Sequence, residues 1–75
     1  MNKAIVIFTH QGCQTLKAYL SERGIVYEDR DVSRDRSAVH DLFYKYGSRS
    51  TPTLVVGDEV MVGFDPERFD KLLAK

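Results

Sequence analysis

The chain has 75 residues, and its 11 basic and 11 acidic side chains give a formal net charge of zero. This balance excludes the strong positive field that gathers nucleic acid or an anionic membrane, and we expect neither as a partner. With 43% hydrophobic and 29% charged residues, the composition is typical of a folded globular protein, and the length predicts a single domain over residues 1–75.

The chain contains one cysteine, Cys13, which permits no internal disulfide bond. The first apolar run, residues 4–8, is too short for the hydrophobic region of a signal peptide and far too short to span a bilayer. A reducing cytoplasm is therefore the expected location, and a monomer is the expected state.

The first predicted elements are a strand over residues 4–8 and a helix over residues 13–23. The strand is a continuous apolar run rich in β-branched residues, which is typical of a central strand covered on both faces. After a short turn at residues 9–12, two leucines four residues apart mark one face of the helix, which ends at Gly24 as its left-handed cap.

A second strand is predicted to open at Ile25 and to become charged toward Asp31, as an edge strand does. The short crossover predicts that it is parallel to the first strand. Ser33 is the expected N-cap of the next helix, which ends at Gly47. An apolar stripe at i, i+3, i+4 and i+7 predicts that one face of this helix packs on the sheet; the stripe consists of Val39, Leu42, Phe43 and Tyr46.

Two further strands are predicted, over residues 53–56 and 59–62. The two-residue turn Gly57-Asp58 between them is typical of a hairpin, so these strands are expected to be antiparallel. The order of the elements, βαβ followed by ββα, predicts an α/β fold with a four-stranded mixed sheet and three helices.

The last helix has clear start signals. Asp65 is the expected N-cap, Pro66 takes the first helical position, and Phe64 is placed to pack against Phe69. Leu72 and Leu73 supply the rest of the buried face of this helix.

Cys13 is the first candidate for chemistry, because it stands at the start of a helix. Unpaired amide groups at a helix start favour the thiolate, which is the nucleophilic form of cysteine. Free cysteine is also often buried as a small apolar filler, and the residue alone does not decide between these roles. Lys17, one turn later on the same face, and His10 are the expected supports of the thiolate.

His10 and Cys13 also form a His-x-x-Cys pair. Two ligands do not make a closed metal site, and His40 lies on another helix, so no metal is expected. A hydrolytic Cys–His pair needs a base within reach and an orienting third group, and the sequence does not identify them.

The loops that meet the carboxyl ends of the strands are expected to form a groove with Cys13. Thr51-Pro52 precedes the third strand, and a cis proline there would leave the Thr51 backbone open to an extended peptide; a plain turn proline is the alternative. Arg49, in the same loop, is placed to meet a substrate carboxylate.

Gly63-Phe64-Asp65 is the expected third wall of this groove. Unpaired amide groups at the start of the last helix and the Asp65 carboxylate would hold the carboxylate and the amine of one amino acid. Simple helix capping is the alternative role.

The chain resembles the glutaredoxins, and more closely the glutaredoxin-like redoxins that serve ribonucleotide reductase. The resemblance covers nearly the whole chain, and it is carried by Ile-Phe-Thr at residues 7–9, Lys17 with Leu20, Glu-Arg-Gly at 22–24, Tyr27 with Asp31-Val32, Ser-Thr-Pro-Thr-Leu-Val-Val at 50–56, and Val-Gly-Phe-Asp-Pro-Glu at 62–67. It implies a thioredoxin-like fold of the glutaredoxin type, with Pro52 as its cis-proline.

The reactive motif departs from that family. Glutaredoxins carry Cys-x-x-Cys with a lysine four residues after the second cysteine, whereas this chain has one cysteine and a shorter segment between Thr9 and Lys17. Counted forward from Phe8, Cys13 occupies the nucleophile position. Counted backward from Lys17, Cys13 is the resolving position and His10 replaces the nucleophile. We favour the first alignment, because the turn after Phe8 then keeps the length that the family has.

The resemblance implies a thiol–disulfide oxidoreductase of cell redox homeostasis and electron transport. The Cys13 thiolate would attack a glutathione mixed disulfide or a protein disulfide, and glutathione or a partner thiol would resolve the product. Thr51 and Pro52 would hold the glutathione backbone, and Gly63 and Asp65 its γ-glutamyl end.

Other functions remain open. Val62 replaces a glycine of many glutaredoxins, as in redoxins that are reduced by thioredoxin reductase, so that type of reductant is an alternative to glutathione. A binding module that has lost catalysis is a second function. A glutathione-assisted iron–sulfur carrier ranks last, because the Cys-Gly-Phe-Ser motif of such carriers is absent.

Overall fold

The computed structural model describes residues 3–11 and 13–74. The elements are β1 (Ile5–Thr9), α1 (Gln14–Glu22), β2 (Glu28–Asp31), α2 (Arg36–His40) continuing into a π-helical segment (Asp41–Lys45), β3 (Thr53–Val56), β4 (Glu59–Val62) and α3 (Pro66–Ala74). The sheet order is β2-β1-β3-β4; β1 is parallel to β2 and antiparallel to β3, and β3 and β4 form the antiparallel hairpin that was predicted. The mixed four-stranded sheet in βαβ-ββα order is confirmed. Within the described residues, no helix has the length and apolar character needed to cross a membrane.

Strand β1 lies in the centre of the sheet and is covered on both faces, as its apolar run predicts. Ile7 faces one side, where it packs in a cluster with Leu20 of α1 and Phe69 of α3. Phe8 faces the other side and packs with Ala38 of α2. Both strand side chains are fully buried, so the alternation along β1 divides the core into two layers.

Strand β2 starts at Glu28, and the prediction that it opens at Ile25 is wrong. Val26 is 89% exposed, while Ile25 is half-buried against the core. The reason lies in the parallel register, in which Glu28 is opposite Val6. Counting back along this register places Ile25 beyond the start of β1, where it has no strand to pair with.

The N-cap of α2 is Asp35, and the prediction of Ser33 is wrong. The Asp35 carboxylate accepts a hydrogen bond from the Ser37 amide at 2.9 Å. Ser33 instead donates its hydroxyl and its amide to Asp31, at 2.5 and 2.8 Å. These bonds lower the pKa of Asp31, the hydroxyl contributing most. A carboxylate two residues upstream therefore holds Ser33 in a turn before the helix begins.

The π-helical segment changes which side chains of the second helix face the sheet. The Tyr46 amide donates to the Asp41 carbonyl at 3.1 Å, a five-residue step. Leu42 is buried, but Val39 and Phe43 are 48% and 41% exposed. The predicted stripe is therefore wrong for these two residues, because a 3.6-residue periodicity does not stay on one face through a wider turn.

The start of α3 follows the prediction. Asp65 accepts hydrogen bonds from the Glu67 and Arg68 amides at 3.1 and 3.4 Å. The Phe64 ring packs against Phe69 with centroids 6.0 Å apart. The cap and this aromatic pair fix the direction in which the chain leaves β4.

An ion pair ties the edge strand to the π-helical segment. Arg30 Nη1 lies 2.5 Å from Asp41 Oδ2, and this hydrogen bond lowers the pKa of the Asp41 carboxyl. A carboxyl with a lower pKa in the folded state stabilises the fold above its unfolded pKa of about 4, and this contribution is lost as the pH falls through the folded pKa.

We expect Asp41→Asn to lower the Tm by several degrees at neutral pH and to flatten the loss of Tm on acidification below about pH 4. Thermal unfolding followed by circular dichroism across that range measures both effects. Asp58→Asn, in the exposed β3–β4 turn, is the matched control. Parallel acid profiles for the wild type and Asp41→Asn would contradict the role of the pair.

Candidate functional site

Two of the segments predicted to form a groove with Cys13 meet at one end of the sheet. In the register, Phe8 is opposite Thr53, so β3 begins at the level where β1 ends. The Thr51–Pro52 peptide bond is cis, as predicted. The Gly63 amide donates to the Pro52 carbonyl at 2.8 Å. The loop before β3 and the loop after β4 are thus in direct contact.

Cys13 is the N-cap of α1 rather than its first helical residue. Its backbone is left-handed, with φ 53° and ψ 49°, and its side chain makes no capping hydrogen bond. The Cys13 carbonyl accepts the Lys17 amide at 3.1 Å, which closes the first helical turn. The residue is half-buried and packs against the core layer beneath α1. The residue thus lies at the positive end of the helix dipole and is partly open to solvent.

Lys17, expected to support the thiolate, is held by a neighbouring strand. Its ammonium lies 2.7 Å from Asp29 Oδ2, and this hydrogen bond is the main cause of the raised pKa of Lys17. The other oxygen, Asp29 Oδ1, accepts the hydroxyl of the buried Thr9 at 2.8 Å. Sequence reasoning missed Thr9 and Asp29 as site residues, because only the parallel register brings Asp29 level with Ile7 on β1.

The loop before Pro52 is built on buried hydroxyls. Ser48 and Thr53 are buried and share a hydrogen bond of 2.8 Å between their hydroxyl oxygens. Thr53 also donates to the Ser50 carbonyl at 2.5 Å. Among the described residues, neither the amide nor the carbonyl of Thr51 has a hydrogen-bond partner. The Thr51 backbone is therefore available to an extended ligand.

The wall formed by Gly63, Phe64 and Asp65 is attached to both neighbouring helices. Gly63 has φ 82°, a conformation that side chains rarely adopt. The Phe64 ring meets Tyr19 of α1 edge to face, with centroids 5.0 Å apart. Both capping hydrogen bonds of Asp65 go to Oδ1, and Oδ2 accepts none from the part of the chain that the structure describes. One carboxylate oxygen therefore remains for a ligand.

A groove of about 590 Å³ runs beside this edge. His10, Arg49 and Thr51 line it, and the Arg49 guanidinium lies over the Phe43 ring at 4.9 Å. Its remaining lining is mostly apolar: Val32, Val39, Leu42, Phe43 and Ser48. Cys13 is not among the lining residues. The sequence signal for this apolar lining is the stripe of the second helix, whose spacing predicts packing on the sheet instead.

The larger cavity, about 690 Å³, lies at the opposite end of β1 and contains no predicted site residue. It is lined by residues 3–6, residues 24–28 and Leu73. The described residues include no group of three or more His, Cys, Asp or Glu side chains arranged to hold a metal ion.

Comparison with known proteins gives a consistent result. The sequence profile of the family described as Glutaredoxin matches residues 5–61. The N-acetyl-S-hydroxy-L-cysteine reductase of Bacillus subtilis (strain 168) is 34% identical over 56 residues, which are 71% of this chain and 60% of that protein. The chain thus spans about 60% of the length of this curated relative.

Two solved structures are similar over most of their length. The thioredoxin-like protein BC3987 superposes with a TM-score of 0.84 at 38% identity, covering 92% of this chain and 99% of that one. The glutaredoxin-like protein NrdH-redoxin from Escherichia coli superposes with a TM-score of 0.76 at 29% identity, covering 92% and 93%. Both support the thioredoxin-like fold.

The hydroxyl network of the loop before Pro52 generates a stability prediction. We expect Ser48→Ala to cost about 1 kcal/mol of unfolding free energy, because Thr53 loses a buried hydrogen-bond partner. Urea unfolding measures the change, with Ser21→Ala on the exposed face of α1 as the matched control. Equal stability of the two variants would show that the hydroxyl pair does not hold the loop.

Proposed function

The chain belongs to the glutaredoxin family, and we propose that it is a thiol–disulfide oxidoreductase that works through the single thiol of Cys13. One observation carries the proposal: a half-buried cysteine at the start of α1 lies at the sheet edge where Pro52 and Gly63 are hydrogen-bonded to each other. A cysteine that only fills space in the core does not need binding loops around it. A cysteine that exchanges disulfides needs loops that bind the substrate and present its sulfur.

The proposed chemistry balances without a second protein cysteine. The Cys13 thiolate attacks one sulfur of a substrate disulfide, forming a mixed disulfide and releasing the other substrate sulfur as a thiolate. An external thiol then attacks the mixed disulfide and releases the Cys13 thiolate. For a glutathionylated protein, the first step releases the substrate protein as a thiol and leaves its glutathione on Cys13. One external glutathione then attacks that mixed disulfide and leaves with the bound glutathione as glutathione disulfide.

Binding of the substrate is proposed at the two walls beside Cys13. The Thr51 backbone, which makes no hydrogen bond to any residue that the structure describes, pairs with the extended backbone of glutathione or of a substrate peptide. Asp65 Oδ2, which accepts no hydrogen bond from the described residues, accepts one from the amine of a γ-glutamyl group, and the Gly63 segment lies beside it. Arg49 offers its guanidinium to a second carboxylate at the rim of the groove.

The reductant is proposed as glutathione, with a thioredoxin reductase-type enzyme as the alternative. Val62 favours the alternative, because its side chain is 58% exposed directly before Gly63 and fills space that a glycine leaves open. Glutathione needs the Asp65 carboxylate to bind its γ-glutamyl amine, whereas a thioredoxin reductase-type reductant does not need this contact.

The relative from Bacillus subtilis favours a second substrate class, a small S-hydroxylated thiol. The Cys13 thiolate attacks the sulfur of the S–OH group, and one proton is taken up as water leaves. The product is a mixed disulfide of the same kind, so the resolving step is unchanged. Disulfide and S-hydroxy substrates thus differ only in the leaving group of the first step.

We expect reduced protein incubated with oxidised glutathione to gain the mass of one glutathione at Cys13, and dithiothreitol to reverse the gain. Intact-mass spectrometry and peptide mapping measure the adduct, and Cys13→Ser is the control that abolishes it. Absence of an adduct from oxidised glutathione, from a disulfide peptide and from an S-hydroxylated cysteine would leave a binding module as the function of the fold.

The Asp65 wall has a separate test. We expect Asp65→Ser to slow glutathione adduct formation by about tenfold, because serine retains the helix cap but removes the carboxylate that would bind the amine. Asp35→Ser, which makes the same change at the cap of α2, is the matched control. Unchanged rates in Asp65→Ser, with an adduct still formed at Cys13, would mean that Asp65 only caps α3 and would favour the reductase-type reductant.

A further inference from the structure

Asp29 uses both of its carboxylate oxygens on residues that flank the segment bearing Cys13. Oδ1 accepts the hydroxyl of Thr9, the last residue of β1, at 2.8 Å. Oδ2 holds the ammonium of Lys17, in the first turn of α1, at 2.7 Å. A single side chain of the edge strand therefore joins the end of β1 to the start of α1. The turn between Thr9 and Cys13, which these contacts flank, is called the reactive turn below.

The contacts of the Asp29 carboxylate are partly shielded from solvent. Thr9 is fully buried, and the side chains of Lys17 and Asp29 are 24% and 31% exposed. Because the pair is partly removed from water, it is screened less by salt than a fully exposed pair. The nearby Asp31 contributes a weaker contact, since its carboxylate accepts the Gln11 amide at 3.5 Å.

We propose that Asp29 is a positioning residue for the reactive turn, which clasps Thr9 to Lys17 and keeps the Lys17 ammonium in a neutral pair on β2. In this arrangement the lysine does not present a free positive charge to an anion approaching Cys13. The inference rests on the proposed function only in taking Cys13 as the reacting thiol. It adds a substrate preference: the clasped site does not select for anionic partners through Lys17.

Alkylation tests the clasp without requiring any disulfide exchange. Iodoacetate carries a negative charge and iodoacetamide is neutral, and both react with the same thiolate. The ratio of their rates cancels the fraction of thiolate and reports the local charge that the reagent meets. Failure of the redox function therefore leaves this measurement intact, and the two outcomes are distinguishable.

We expect Asp29→Asn to raise the iodoacetate-to-iodoacetamide rate ratio by about threefold at low ionic strength, and the increase to disappear in high salt. Glu28→Gln is the matched control, because it removes one negative charge from the adjacent, exposed position of the same strand. Asp29→Glu is expected to retain the wild-type ratio, and adding Lys17→Met to Asp29→Asn is expected to restore it. Equal ratios in Asp29→Asn and Glu28→Gln would overturn the proposal.

Hydrogen exchange tests the clasp as a positioning device. The Lys17 amide, bonded to the Cys13 carbonyl, is expected to exchange at least about threefold faster in Asp29→Asn and at the wild-type rate in Asp29→Glu. If Asp29→Asn does not fold, Lys17→Met alone serves, because it leaves the Asp29 charge unbalanced and is expected to lower the rate ratio. An unchanged ratio in Lys17→Met would then overturn the proposal.

Discussion

The central position of β1 is the constraint on which the site depends. This strand is hydrogen-bonded on both edges, and Ile7, Phe8 and Thr9 are fully buried. Burial of each apolar side chain contributes about 2 kcal/mol, so the strand has little freedom to slide. Because β2 ends opposite Thr9 and β3 begins opposite Phe8, the segments that leave or enter these strands start from one level. The position of the reactive turn follows from core packing before any site residue is considered.

Aromatic contacts extend this rigidity to the wall before α3. Tyr19 of α1 packs on Phe64 and also on Phe69, with centroids 5.0 and 6.2 Å apart. Its hydroxyl donates to Asp70 at 3.1 Å, and Arg23 lies over its ring at 4.1 Å. The pKa of Tyr19 is raised, mainly by desolvation of its hydroxyl and to a smaller extent by the hydrogen bond to Asp70. Helix α1, which begins at Cys13, therefore holds the segment between β4 and α3 in place.

Local signals were enough to predict the parts of the fold that depend on neighbours in sequence. The apolar run of β1, the β3–β4 hairpin and the Asp65 cap are such parts, and the structure has all of them. The errors arose where a distant residue decides the outcome. Ile25 lies outside β2 because β1 is too short to pair with it, and Ser33 is captured by Asp31. The Asp29 clasp depends on the strand register, and so no sequence pattern along α1 predicts the partner of Lys17.

The single cysteine places a physical requirement on the rest of the site. In a protein with two cysteines, the second thiol attacks the mixed disulfide from within the fold, and the sulfur can then be deeply enclosed. In the proposed reaction through Cys13 alone, the resolving thiol comes from solution and must reach a sulfur of the mixed disulfide along the S–S axis. A half-buried cysteine at a helix start satisfies this requirement, because one side packs on the core and the other stays open. In the proposed function, the same openness limits how strongly the site can select its substrate by enclosure, so selection would fall to the Thr51 backbone and the Asp65 wall, while the Lys17–Asp29 pair stays neutral.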